Sequence, residues 1–277
     1  MIIRDQVSGG RGPLAPFRRA WDYRRLILRL AARDIEGRFR GSLLGKLWAI
    51  IVPLAMLAMY TFVFGFLLHI QWGGMETSKF QVPLLYFVGL ILFDFFFECI
   101  NRAPTLMIEH AVYIKKIVFP VEILAWVVVL VALFRVVIGG ALLLLFYLVI
   151  DGLPPPSALA APLIILPLAV IALGLVLFLS ALGVYVRDFR QVITVIAPAI
   201  MFLSPIFFPL ATVAAPFRRF FYLSPLTFPA ESIRAALFLG EWPNGLGALA
   251  YVLAAWLVAW AGYAWFMTVR EGFSDVV

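Results

Sequence analysis

The chain has 277 residues, 64% of them hydrophobic and only 13% charged, with 26 phenylalanines, 8 tryptophans and a net charge of +7. Soluble domains run near ~45–50% apolar and ~25% charged, so this composition excludes a sizeable soluble domain and points to a polytopic membrane protein. Residues 1–46 hold 11 of the 22 basic residues, so the positive balance is local to the N-terminal region and does not call for nucleic acid as a partner.

Residues 1–16 read as a flexible N-terminal segment, with Gly9, Gly10, Gly12, Pro13 and Pro16. The first 46 residues lack the apolar core and cleavage site of a signal peptide, and the first span is expected to serve as its own insertion signal. Residues 17–277 read as one membrane domain. From 17 to 40 the periodicity predicts an amphipathic helix. Phe17, Trp21, Leu28, Ala31, Ile35 and Phe39 share a stripe, Arg18, Asp22, Arg25, Arg29, Arg33, Glu36 and Arg40 an adjacent polar face, and Arg24 intrudes on the apolar side. Such a helix lies in the membrane interface, either as an anchor or as a docking surface for a cytosolic partner.

Span one is expected over 46–70. Its uncharged run from Ala49 to Trp72 has 24 residues, about 36 Å as a helix and enough to cross a ~30 Å hydrocarbon core. A polar loop with Gly73, Gly74, Glu76 and Lys79 follows, then span two over 83–101, a charged connection, span three over 119–150 and a turn with Pro154, Pro155 and Pro156. Span four covers 158–186, span five 192–210 with Pro198, Pro205 and Pro209, and span six 246–269. With the N-terminus inside, the cytoplasmic segments hold 17 Lys and Arg against 4 outside (Lys79, Arg218, Arg219, Arg234). That asymmetry places both termini in the cytoplasm.

Residues 211–245 lie outside on this topology, yet carry apolar bursts cut by Pro216, Pro225, Pro229 and Pro243 into pieces too short to cross. They read as re-entrant or interfacial half-helices that pack on protein or line a watery path, serving as a gate or as a structural cap.

Few residues could support catalysis. Cys99 has no second cysteine to pair with, and the only histidines, His69 and His110, fall on opposite sides of the membrane. The stretch Gly41 to Leu47 is similar to a phosphate loop, but it is one residue short between glycines and has Leu47 where Ser or Thr would hold magnesium. No metal site and no bound cofactor are expected; ATP, if used, belongs to another chain. Asp94, Glu98 and Arg135 are the costly residues inside spans, and Asp94 and Glu98, four apart, share a face. An ion pair between spans two and three, a proton relay and the lining of an aqueous conduit are the three readings. Among the many aromatics, Tyr60, Phe62, Phe64, Phe202 and Phe207 are candidates to line a channel, against packing or lipid contact.

Taken together, several short stretches identify a family. They are Arg33-Asp34-Ile35, Arg38 to Gly45 before Trp48 and Pro53, Tyr60 to Gly65, Lys115-Lys116 with Phe119-Pro120, Arg187-Asp188-Phe189, Ser204-Pro205-Ile206 and Ser224-Pro225-Leu226. In order and spacing the chain resembles the type-2 ABC exporter permeases that move lipid-linked polysaccharides of the O-antigen and teichoic-acid kind. The resemblance implies an all-α fold of six transmembrane helices with an N-terminal interface helix and re-entrant external helices between spans five and six. It implies a homodimer, two copies of a separate ABC ATPase that bind ATP and Mg, and a bacterial inner-membrane location. A coupling helix is implied over 104–113, with Glu109 and His110 toward the ATPase, and a gate over 211–245. On this basis Arg33, Arg38 and Arg40 are candidates to hold an undecaprenyl-type lipid diphosphate.

Three rival functions remain open at this point: a related permease for a capsule polymer, drug or small lipid, a stand-alone secondary carrier, and a membrane transferase. The carrier is disfavoured because spans one to three and four to six show no internal repeat, the transferase because acids, bases and metal ligands are scarce.

Overall fold

The computed structural model describes residues 12–67, 72, 80–116, 119–186 and 188–273, apart from the side chains of 114–116. Expectations for 1–11, His69, Ile70, Gly73, Gly74, Glu76, Lys79, Arg187, the side chains of Lys115 and Lys116, and the tail beyond 273 lie outside the described residues. Those described contain no strand. Five helical segments are long and apolar enough to cross a membrane: Gly45–Leu67, Gln81–Glu109, Ile123–Ile150, Pro156–Tyr185 and Gly245–Gly272. A shorter apolar helix, Phe189–Phe202, joins them. The protein is an all-helical, multi-pass membrane protein.

The N-terminal region is not one helix but two, α1 (Ala15–Asp22) and α2 (Arg24–Phe39), broken at Tyr23. The break shifts the phase of the apolar stripe. Ile27 and Ala31 are the buried residues of α2, packed on Ile123, Val127 and Val131, while Trp21 and Leu28 are exposed. A row in contact with a neighbouring helix, rather than a face dissolved in lipid, sets the orientation of α2. Arg24, the residue that broke the predicted stripe, donates from Nη1 to the Trp21 carbonyl at 2.8 Å, beside the α1 end.

Span one begins as a 3₁₀ turn (Gly45–Leu47), continues as α3 (Trp48–Tyr60) through Pro53 and ends in a π-helical stretch, Thr61–Leu67. Thr61 Oγ1 donates to the Leu57 carbonyl at 2.8 Å, the side-chain compensation that irregular helices use at membrane depth. Span two, α4 (Gln81–Glu109), is the most buried of the five long helices and passes through Pro104 without stopping. The segment expected to form a separate helix over 104–113 is thus the end of α4, a break at His110, and α5 (Ala111–Lys116). The His110 ring supplies a local stop, its Nδ1 lying 2.9 Å from the Leu106 carbonyl.

α6 (Ile123–Ile150) and α7 (Ala160–Tyr185) form spans three and four. α7 is central, and glycines let backbones touch it on both sides. A Cβ on Gly183 would lie 2.2 Å from the Pro104 carbonyl oxygen of α4. One on Gly262 of α11 (Gly245–Val269) would lie 2.1 Å from the Gly174 carbonyl oxygen. Small residues at such crossings are how membrane helices gain contact where lipid removes the hydrophobic drive.

Where span five was expected over 192–210, the helix is α8 (Phe189–Phe202), 14 residues or about 21 Å. Turns and a short 3₁₀ segment, Leu210–Thr212, continue the chain. Pro205 and Pro209 remove the backbone donors a further helical turn would need. The segment expected outside, 211–245, folds as α9 (Ala215–Phe221), α10 (Thr227–Arg234) and a π-helical stretch Ala235–Leu239, closed by Gly240 at φ +69°.

Candidate functional site

A cleft of about 380 Å³ opens between the C-terminal end of α2 and helices α3, α4 and α6. Val52, Met56, Phe87 and Leu90 give it apolar walls, and Arg38, Asp94 and Arg135 supply its charges. Each is placed by simple periodicity. Asp94 and Glu98 stand one turn apart on α4, Arg135 faces them from α6, and Arg38 reaches in from the last turn of the interface helix.

Glu98 is the hub. It accepts a hydrogen bond from Arg135 Nη1 at 2.9 Å and a second, on its other oxygen, from Arg38. The carboxylate is largely buried while the Arg135 side chain is half exposed, so Arg135 keeps donors turned toward the cleft. Of the three sequence readings, the geometry brings Arg135 and Glu98 into an ion pair, and Asp94 lines the cleft beside it.

The three headgroup candidates do not come together. Arg38 lines the cleft, Arg33 donates to Tyr113 Oη at 3.3 Å on the other side of α2, and Arg40 is exposed past the helix end. Arg33 instead lines a second cleft of about 200 Å³ with Asp34, Arg102 and His110. At the break after α4, Glu109 is exposed and the His110 ring stacks on Tyr113, with centroids 5.8 Å apart.

Four of the five aromatic candidates form one cluster. Tyr60 stacks on Phe64 at 6.0 Å, Phe64 lies 6.2 Å from Phe207, and Phe207 lies 6.5 Å from Phe202. Phe62 is exposed and stands apart. Sequence reasoning did not pick out Tyr86 and Trp72, which complete the cluster: Tyr86 is 4.4 Å from Phe64 and 5.2 Å from Trp72.

Three further charged contacts have partners that the sequence did not assign. Arg102 of α4 holds Asp34 of α2 through two hydrogen bonds. Glu122, almost fully buried at the start of α6, accepts from Arg19 at 2.9 Å and from Arg270 at 3.1 Å, joining α1, α6 and the end of α11. Arg234 is buried at the end of α10. Arg102 and Arg234 entered the sequence reading only as loop charges counted for orientation.

Comparison with known proteins adds to this geometry. The family model described as ABC-2 type transporter matches residues 25–238. The chain is 24% identical over 262 residues to the O-antigen export system permease protein RfbA of Myxococcus xanthus, covering 94% of this chain and 98% of that protein. It is 22% identical over 209 residues to a protein of the same name from Klebsiella pneumoniae, covering 73% and 75%. Similarity to the polysialic acid transport protein KpsM of Escherichia coli is 24% over 243 residues, covering 87% and 92%.

Proposed function

The chain belongs to the ABC-2 type transporter family, and on that premise we propose that it exports a lipid-linked cell-surface polysaccharide as the membrane-spanning subunit of an ATP-driven complex. The observation that carries the substrate class is similarity along nearly the whole chain to relatives named for O-antigen export and polysialic acid transport. The geometry supplies two surfaces suited to such a substrate. The cleft pairs an apolar slot with guanidinium groups at the level of the interface helix, the combination an isoprenoid diphosphate needs. The aromatic cluster joins the end of span one to the end of span five, where ring faces can stack on the apolar faces of sugars.

In this reading two copies of the chain enclose the path in a bacterial inner membrane, with both termini cytoplasmic, and two copies of an ABC ATPase bind below. ATP and Mg sit on those partners. Closure of the ATPase pair is transmitted through the exposed end of α4, around Glu109 and His110, and through the interface helix. The energy available is the difference in affinity of ATP for the two conformations. Arg38, with Arg135 beside it, attracts the diphosphate from the inner leaflet, Arg33 and Arg40 contribute positive potential at the surface, and the glycan threads outward.

Gentle purification from native membranes tests the assembly. An ABC ATPase recovered at one-to-one stoichiometry supports it; its repeatable absence, in a preparation that preserves other membrane complexes, argues for a stand-alone carrier. A polymer of the polysialic acid kind is the second reading of the cargo, carried by the similarity to KpsM.

A further inference from the structure

The Arg234 side chain is buried where four separate parts of the chain meet. Its Nε donates to the Leu85 carbonyl of α4 at 2.9 Å, Nη2 to the Ile206 carbonyl at 2.8 Å, and Nη1 to the Pro205 carbonyl and to Glu231 Oε1 at 3.3 Å. The guanidinium also lies over the Trp72 ring, 4.6 Å from its centroid. Burial lowers its pKa to about 10, which leaves the group charged at neutral pH.

Two of these partners, the Pro205 and Ile206 carbonyls, are ones the break in span five leaves without helical donors. α8 ends at Phe202, and the helical partner for the Pro205 carbonyl would be the N–H of residue 209, a proline with none. The backbone of Leu210, which would serve Ile206 in a helix, instead lies beside the Glu231 carboxyl and favours its charged form. Arg234 of α10, held by Glu231 one turn before it, therefore supplies the donors of the missing turn. Ser204 Oγ, 2.7 Å from Ser224 Oγ, adds a second tie between the same two segments. Phe207, next to Ile206, belongs to the aromatic cluster. Buried carbonyls left unpaired at this depth would be costly, so the arrangement cannot relax freely.

We propose that Arg234 is a positioning residue of the transport path: with Glu231 it docks the external helix α10 into the break of span five. The broken end and the external segment then move as one unit, and that unit sets where Phe202 and Phe207 stand against Tyr60 and Phe64. The inference rests on the reading of this cluster as part of the glycan path.

The test uses the permease with its ATPase in liposomes, and a fluorescent undecaprenyl-diphosphate-linked oligosaccharide as the probe. Arg234→Lys keeps the charge but loses the fork. Gly89→Ala keeps every polar group and puts a Cβ 2.6 Å from Arg234 Nη2, so it carries the test should Arg234→Lys fail to assemble. The expected result is a several-fold fall in oligosaccharide moved per ATP hydrolysed at unchanged basal hydrolysis. Amide exchange should rise in 203–212 and 227–239 together and stay unchanged in 123–150. A residue with only a structural role would lower assembly and raise exchange throughout. Wild-type coupling in an assembled variant, or unchanged exchange at the break, overturns the proposal. Phe207→Ala separates the two layers. If it lowers coupling and the Arg234 and Gly89 variants do not, the positioning role alone is wrong; if none lowers it, the path reading fails and takes the positioning role with it.

Discussion

Arg102 and Asp34 form a two-pronged pair, with Nη2 to Oδ1 at 3.0 Å, that pins α2 to the C-terminal part of α4. The pair joins α2 to the span whose end carries the exposed Glu109. Burial alone would raise the Asp34 pKa, but the hydrogen bond and charge of Arg102, with the charges of Arg38 and His110, hold it below its ordinary 3.8. A carboxyl depressed on folding contributes its stability above the unfolded value and loses it as pH falls through the folded one. Asp34→Asn should therefore cost about 1 kcal/mol at pH 7, the scale of a partly exposed pair. The cost should begin to shrink as pH drops below about 4, the unfolded value, and go on shrinking as pH falls through the lower folded value, where the wild-type carboxylate is itself neutralised. Thermal unfolding of both proteins across that range checks the sign; a penalty that grows in acid would contradict it.

Glu98 serves two guanidinium groups, so the two ends of the network should respond unequally. Glu98→Gln leaves Arg38 and Arg135 sharing a neutral amide and should cost about 1–3 kcal/mol. Arg135→Met leaves Glu98 still held by Arg38, and with Arg135 half exposed it should cost less than about 1 kcal/mol. Unfolding midpoints in detergent, with assembly monitored, give the order.

Contact between α7 and α11 depends on two glycines. Gly174→Ala would put a Cβ 2.4 Å from the Val258 carbonyl oxygen, a backbone atom that cannot swing aside. A loss of at least about 1–3 kcal/mol is expected, as for other overpacked sites. Gly140→Ala, with nothing within 4 Å of the added carbon, is the control and should be close to neutral. Equal effects at the two positions would mean that the crossing is looser than described.

Glu122→Gln should loosen the N-terminal helix more than it destabilises the bundle, because the carboxylate joins Arg19 and Arg270 across three elements. Limited trypsin digestion should cut faster between residues 18 and 25, with spans three to six left protected. Unchanged cleavage would place the hold on α1 elsewhere.

The long spans were legible because continuous apolar runs are a composition signal that lipid imposes without help from tertiary contacts. The external half-helices were legible for a related reason, since prolines cut any piece that might have crossed. The N-terminal helix was legible as an element and in part of its facing, since Ala31 and Ile35 of the expected stripe pack against α6. The stripe from Phe17 was extended in phase through Tyr23, and the burial of Ile27 in place of Leu28 depends on Val127 and Val131, about a hundred residues away. The resemblance implied a separate helix from Pro104, yet α4 runs on through it against Gly183. Within the site, the i,i+4 spacing exposed Asp94 and Glu98, and depth alone singled out Arg135. Arg33, Arg38 and Arg40 share a charge and a short stretch of chain, but on a helix followed by an extended residue they point to different surroundings. Arg234 was counted as an external charge because nothing in its local sequence announces the carbonyls that Pro205 and Pro209 leave open.

The central claim is that this permease moves lipid-linked glycan under ATP. The most direct measurement reconstitutes it with its ATPase in liposomes. It then follows transfer of a labelled undecaprenyl-diphosphate-linked oligosaccharide to the face away from the ATPase. Transfer that requires ATP hydrolysis and falls when Arg38 and Arg135 are both neutralised is the predicted result. ATP-driven movement of small amphiphiles with no movement of any lipid-linked glycan would contradict it.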